Sequence, residues 1–349
     1  MSRTARKLDH INHALLTGQA NTHGFEDVMF IHNSIPETNY DEISLTSKIG
    51  GLSLSSPIFI NAMTGGGGEQ TKKLNQQLAE VAAETKVGMA VGSQMAAIKE
   101  SEQRESYEIV RKSHPDGIIF ANLGSEATLD QAKMAVDMIE ANAFQLHLNV
   151  IQELVMPEGD RNFTDTYKRI EKLVQGLEVP VIVKEVGYGM NNQIIQRLAS
   201  IGVRVVDIGG FGGTNFSKIE NERRQQKLNY FNNWGITTTA SLLEGSVVDA
   251  EIEILASGGL QSAMDLAKSL ALGAVAGGFA GRFLKVLVEE GQEKLIEDIN
   301  QIINDLKMLM TALGASSPKE LTNVPLIVLG DTFHWATQRG IDCTRLSLR

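Results

Sequence analysis

The stretch LHLNVIQELVMPEGDR, Leu146 to Arg161, holds the densest set of residues able to do chemistry. It begins as an apolar strand, yet His147 and Asn149 interrupt the run, and Gln152 and Glu153 follow at its exit. In an extended FQLHLNV the side chains alternate, so Gln145, His147 and Asn149 share one face while Leu146, Leu148 and Val150 share the other. The apolar face belongs against helices, which turns the polar row inward. A buried polar row costs stability unless it is hydrogen-bonded, so the pattern suits a binding surface better than a structural core. Glu153 offers oxygen to a hard cation, and Mg²⁺ typically takes one or two carboxylates together with ligand phosphates. Gln152 cannot ionise; it can orient a ligand or relay a proton. The spacing has no zinc pattern.

Cationic residues are scarcer. Lys184 ends the apolar run VIVKEV. It is either a solvated strand tip or, pointing inward, a charge held for an anionic ligand in a partly dry pocket. Near the start, RKLDH places Arg6, Lys7 and His10 within five residues. Such a run is commonly a solvated end, but in an acidic chain it is also the best local grip for a diphosphate. Two Gly-rich turns, SGGL and GGFAGR, each lead into a helical pattern. Amides at helix N-termini are unpaired and carry positive partial charge, which suits a phosphate. Tight turns without a ligand are the plainer alternative.

Eight β-type runs must position these groups: PIFINAM, VGMAVGS, GIIFANLG, FQLHLNV, VPVIVKEV, VRVVDIGG, EIEILASGG and AVAGGFAG. Amphipathic stretches separate them, as in EQTKKLNQQLAEVAAE with Leu74, Leu78, Val81 and Ala82 on one face. This alternation predicts a parallel (β/α)₈ TIM barrel, with a doubly wound open sheet as the competing architecture. The whole chain, 1–349, then reads as a single barrel domain. Residues 1–50 form an N-terminal extension, and the chain after about Glu289 is a helical tail packed outside. Ligands of such barrels bind where the strands end. Here the ends are Ala62-Met63-Thr64, Gly92-Ser93, Asn122, Lys184, Gly212-Gly213-Thr214, Ser257-Gly258-Gly259 and Ala280-Gly281. Any one is weak; small or polar residues at every exit are harder to dismiss.

Composition narrows the class. The 349 residues carry a formal net charge of −10, which argues against non-specific nucleic-acid binding. A lone cysteine, Cys343, cannot form an internal disulfide and fits a reducing, cytoplasmic setting. No run is long enough to span a membrane.

Taken in order, RKLDH, NAMTGG, VGSQ, ANLG, HLNVIQE, VKEVG, GGT, SGG and AGR resemble the type 2, FMN-dependent isopentenyl diphosphate isomerases. The motifs span nearly the whole chain and are highly specific as a set. The resemblance implies a (β/α)₈ barrel, usually a homo-oligomer (tetramer or octamer), using FMN, a reductant such as NADPH, and Mg²⁺. It implies that Ala62, Met63, Thr64, Ser93, Asn122, Lys184, Thr214, Gly258, Gly259, Ala280 and Gly281 contact FMN. Arg6, Lys7 and His10 would bind the substrate diphosphate, with His147, Asn149 and Gln152 facing the reacting carbons and Glu153 holding Mg²⁺. The implied reaction moves a double bond, converting isopentenyl diphosphate to dimethylallyl diphosphate by adding one proton and removing another. An unactivated alkene is a very weak base, and an electron-rich reduced flavin would stabilise the developing cation. After Gly-Gly-Thr some members place Trp where this chain has Phe216, which touches the pocket wall rather than the reaction.

Two flavin- or phosphate-binding barrels compete. A 2-hydroxy-acid oxidase needs a histidine base near the later strand ends, but after His147 the next histidine is His334. Inosine monophosphate dehydrogenase needs a nucleophilic cysteine after the sixth strand, and GGFGGTNFSK has none. A barrel that binds phosphate without catalysis is the third reading.

Overall fold

The computed structural model describes residues 23–349, so Arg6, Lys7 and His10 lie outside the described residues. Each of the eight runs supplies one strand of a closed parallel barrel. In chain order these are β1 (Ile58–Ile60), β2 (Gly88–Ala90), β3 (Ile119–Gly124), β4 (Ala143–Leu148), β5 (Val181–Glu185), β6 (Val205–Asp207), β7 (Glu253–Ala256) and β8 (Ala274–Phe279). Closure comes from β8 pairing with β1, Gly278 opposite Phe59 and Phe279 opposite Ile60. The open-sheet alternative is thereby excluded.

Alternation along the strands sorts the side chains into two sets. One set, including Ile60, Met89, Ile119, Phe144, Val183 and Val206, packs outward with the helices. The other forms a separate interior cluster: Phe59, Ala90, Phe120, Ala143, Ile182, Val205, Leu255 and Ala276. Large rings face small residues there, and Phe59 and Phe120 meet at 5.9 Å between centroids. This fills the barrel instead of leaving a pore.

The lower end is closed by a hairpin, Ser47–Ile49 against Leu52–Leu54, joined by Gly50-Gly51. Both glycines have positive φ (56° and 86°), which a two-residue hairpin turn with right-handed strand twist requires. Ile49 and Leu54 complete the interior cluster from below. Gly50 N–H donates to Glu253 Oε2 at 2.6 Å and Ser47 Oγ to the Val275 carbonyl at 2.5 Å, so the plug is latched to β7 and to β8.

The helix Gly68–Thr85 buries Leu74, Leu78, Val81 and Ala82, the face its periodicity predicts. After the barrel, Gln292–Leu313 packs outside, burying Leu295, Ile299, Ile302, Leu306 and Met310. The later helix Gly330–Gln338 is clasped to the helix Thr238–Gly245 by one buried carboxylate. Glu244 accepts from Trp335 Nε1 at 3.0 Å, from Arg339 Nε at 2.7 Å and from the Asn192 amide at 3.0 Å. Among the described residues, no helix is long and apolar enough to cross a membrane.

Candidate active site

Two residues above the apolar interior, the same inward face changes character. Alternation puts Asn61, Asn122, Gln145, Lys184, Asp207 and Ser257 at this level, all of them buried. They form one hydrogen-bonded layer. Asp207 accepts from Asn61 Nδ2 at 2.8 Å, from Ser257 Oγ at 2.5 Å and from the Gly209 amide at 3.2 Å. Gln145 Nε2 reaches Asn61 Oδ1 at 3.3 Å, Asn122 Nδ2 reaches Gln145 Oε1 at 3.2 Å, and His147 Nδ1 lies 2.9 Å from Asn122 Oδ1.

Lys184 resolves its two readings in favour of the inward one. Its ammonium is buried, 3.4 Å from Asp207 Oδ2, and donates to the Glu185 carbonyl at 2.8 Å. An ammonium has three donors, and Lys184 also lines the pocket above.

That pocket opens at the C-terminal ends of the strands. It brings together Ala62, Met63, Thr64, Ser93, Asn122, His147, Gln152, Lys184, Thr214, Gly258, Gly259, Ala280 and Gly281. Close backbone packing shapes its walls. A Cβ on Gly92 would lie 1.4 Å from the Thr64 carbonyl oxygen, so only glycine lets β2 meet the first loop there. Gly258, at φ +103°, packs its Cα against the Gly210 backbone, where a side chain would lie 2.0 Å from the carbonyl oxygen.

The two Gly-rich turns differ in one respect from expectation. The helix Ala263–Ala271 after SGGL is already capped by a Ser262–Asp265 capping box, and Asp265 also accepts from the Gln261 amide. Its N-terminal donors are thus largely satisfied. The helix Gly281–Glu290 has no side-chain cap at Ala280, and Ala280 and Gly281 both line the pocket. Its first-turn amides are the ready anion site.

Asn149 departs from the inward row. β4 ends at Leu148, and Asn149 begins the short helix Val150–Val155, so the two-residue alternation stops before it. It is not among the pocket-lining residues; its amide donates to Glu153 Oε1 at 2.9 Å. Glu153 is half-buried and also accepts from the Asp160 amide at 2.8 Å, folding the MPEGDR loop around it. Burial holds its carboxyl above the usual carboxylate range, and the neighbouring Asp160 and Glu126 charges push the same way. Among the described residues no cation offsets this charge. No group of three or more metal-ligating side chains occurs among the described residues, and Glu153 offers a single carboxylate.

Gln152 lies in the pocket, and its Nε2 is 3.5 Å from Oε1 of Glu220. Glu220 is fully buried on the helix Phe216–Glu222 and is paired with Arg223 at 2.5 Å. Arg223 reaches on to Glu158 in the loop after β4, also at 2.5 Å. Two loops of the site are therefore strapped through one guanidinium. Glu220, Arg223, Asn61 and Asp207 were not evident from sequence: SKIENERR reads as a solvated helix, and VRVVDIGG as a strand that simply ends.

Beside Lys184, Glu185 turns to the other side of β5 and is buried. It accepts from the Gly187 amide at 2.7 Å and the Tyr188 amide at 2.5 Å, shaping a loop whose Val186 and Gly187 line the pocket. Burial pushes its carboxyl up to about 7 despite those two donors. Because the folded value lies above the ordinary one, the protein favours the protonated form. Stability from this group is thus full at low pH and declines as pH rises toward about 7. Glu185→Gln is expected to flatten that decline, by about 3 kcal/mol for a shift of this size. Urea unfolding of both proteins at a series of pH values checks it, and parallel pH profiles would refute it.

With this geometry in view, comparison with known proteins is informative. Residues 95–327 match the model of the FMN-dependent dehydrogenases. The fold agrees: a flavocytochrome b2 with sulfite bound is 19% identical, covering 97% of this chain and 84% of that one, with a TM-score of 0.68. A mandelate oxidase with an FMN adduct is 16% identical over 90% of this chain and 94% of that one, with a TM-score of 0.63. Fold and site thus define a barrel of the FMN-dependent class. Within it, the isopentenyl-diphosphate delta-isomerase of Bacillus cereus (strain ATCC 10987 / NRS 248) is 60% identical over 349 residues, 100% of both chains. The chain belongs to the isopentenyl-diphosphate delta-isomerase family.

Proposed function

We propose that this enzyme interconverts isopentenyl diphosphate and dimethylallyl diphosphate by a 1,3-proton shift that requires reduced FMN, a step of isoprenoid biosynthesis. The observation that carries the reading is a pocket of the FMN-dependent class in which His147, the one lining histidine among the described residues, stands at the end of β4 among neutral amides. Among the described residues after β4 the hydroxy-acid oxidase alternative finds no base, since His334 is exposed on the helix Gly330–Gln338.

The residues present fit FMN. The uncapped amides at Gly281 and the Gly258-Gly259 turn suit its phosphate. Lys184 places a buried cation on the pocket wall, where the ring's negative charge would gain from it. When bound, reduced FMN would supply the electron-rich group that stabilises a developing cation. His147 and Gln152 of the pocket lining orient the reacting carbons. Arg6, Lys7 and His10 of the N-terminal extension bind the diphosphate, and Asn149 acts through Glu153. The enzyme works as a cytoplasmic homo-oligomer, with NADPH priming the flavin.

Anaerobic incubation of isopentenyl diphosphate with the protein, FMN, Mg²⁺ and NADPH, with the product identified by NMR, tests the reading. Photoreduced FMN should replace NADPH fully. NADPH oxidation in constant proportion to product would sink it.

Glu153 fits Mg²⁺, because a half-buried carboxylate with no counter-charge among the described residues would gain from a hard cation that also binds phosphate oxygens. Glu153→Gln can keep the Asp160 bond through its amide oxygen, with Asn149 turned to accept from the new NH₂, but it removes the charge. The variant should stay yellow, lose most activity, and recover part of it at high Mg²⁺. Loss of flavin instead would assign Glu153 to the scaffold.

A further inference from the structure

The buried amides between Asp207 and His147 have a direction. A carboxylate that receives hydrogen bonds from Asn61, Ser257 and the Gly209 amide, with Lys184 alongside, is acceptor-only. The edge of Asn61 facing it must therefore be the NH₂. The other edge, Oδ1, is also fixed independently: the Ala62 backbone N–H, which can only donate, points at it at 2.8 Å.

From there each amide dictates the next. Asn61 Oδ1 accepts, so Gln145 turns its Nε2 toward it, 3.3 Å away. Gln145 then presents Oε1, which draws Nδ2 of Asn122 at 3.2 Å. Asn122 is left with Oδ1 toward His147, 2.9 Å from Nδ1. An amide oxygen accepts, so Nδ1 of His147 must carry a hydrogen. In the neutral ring the lone pair then sits on Nε2.

We propose that Asn61 and Gln145 are positioning residues that carry this donor–acceptor direction from Asp207 across the barrel and so fix His147 in the Nδ1–H tautomer. Neither residue needs to touch the substrate. Gln145 is fully buried and does not line the pocket, while Asn61, although it lines the pocket, is only 1% exposed. The layer thus converts one buried charge into the orientation of a ring several residues away. The inference rests on the proposed reading only in that His147 faces the substrate.

The test uses the holoenzyme with ¹⁵N-labelled histidine, reading the two imidazole nitrogen shifts of His147, assigned from a His147→Asn control. The parent should show protonated Nδ1 and unprotonated Nε2. Gln145→Met keeps the volume but breaks the chain in the middle, leaving the Asp207–Lys184 pair intact. It should give a mixed or Nε2–H signature and lower kcat by roughly 10-fold to 10²-fold at unchanged flavin content. Gln145→Glu, which when protonated donates to Asn61 and accepts from Asn122, should restore the Nδ1–H signature. A parent in the Nε2–H tautomer overturns the proposal, even if neither variant folds. So does a Gln145→Met protein that keeps the parental tautomer. A parent with the expected tautomer but no isomerase activity would leave this inference standing and defeat the isomerase reading instead.

Discussion

Gln152→Asn is expected to lower kcat by about 10²-fold while flavin binding stays at the parental level. The substitution keeps an amide but withdraws it by one methylene from both neighbours that define its place. Toward the pocket it retreats from the reacting carbons; on the other side it loses reach of Glu220, which is only 3.5 Å away in the parent. Glu220 itself is held by Arg223, so it cannot follow. An amide has no useful pKa near neutrality, so the loss is one of position, and the pattern of solvent-deuterium exchange into product should not change. Steady-state kinetics with NMR of the deuterated product checks both parts. Parental turnover would show that this side chain is not beside the reacting carbons.

Replacing Lys184 by Met should have the largest effect on the scaffold and the flavin together. Asp207 is fully buried, and Lys184 is its partner cation at 3.4 Å. Breaking a buried pair by removing one member costs about 3–5 kcal/mol, because the remaining charge stays in a poor solvent. The same change removes the cation from the pocket wall, so FMN should be retained poorly. Chemical denaturation of the apoprotein separates the first effect from flavin titration of the second. The double variant Lys184→Met with Asp207→Asn should regain stability without regaining flavin affinity. Equal recovery of both would mean that Lys184 serves only the ion pair.

Much of the barrel was legible because each strand lies within an apolar run bounded by glycine or a helical pattern. That held even where the strand is short, as in Ile58–Ile60 and Val205–Asp207. The inward turn of Gln145 and His147 followed from alternation alone. Alternation failed at Asn149 because the strand gives way to a helix one residue earlier, and side-chain direction then obeys the new period. The hairpin beneath the barrel has its sequence signal in the Gly-Gly of KIGGLSL between β-type residues. The S-x-x-D of QSAMD likewise marked the capping box that satisfies the helix after SGGL. The polar layer is different in kind. Asn61, Asp207 and Ser257 come from the ends of three different strands, and only the register of the closed barrel places them at one height. The same holds for Glu220 and Arg223, whose burial depends on a loop from another strand covering them.

The clasp around Glu244 gives the molecule an intrinsic optical reporter. The chain has two tryptophans, and Trp234 is largely exposed, at 56%. Trp335 is partly buried and donates its indole N–H to Glu244 at 3.0 Å. Emission that shifts on loosening of the helix Gly330–Gln338 is expected mainly from Trp335, because Trp234 is already more than half exposed. Detachment of that helix from the barrel can be followed as a red shift, separately from unfolding of the strands, with no label added.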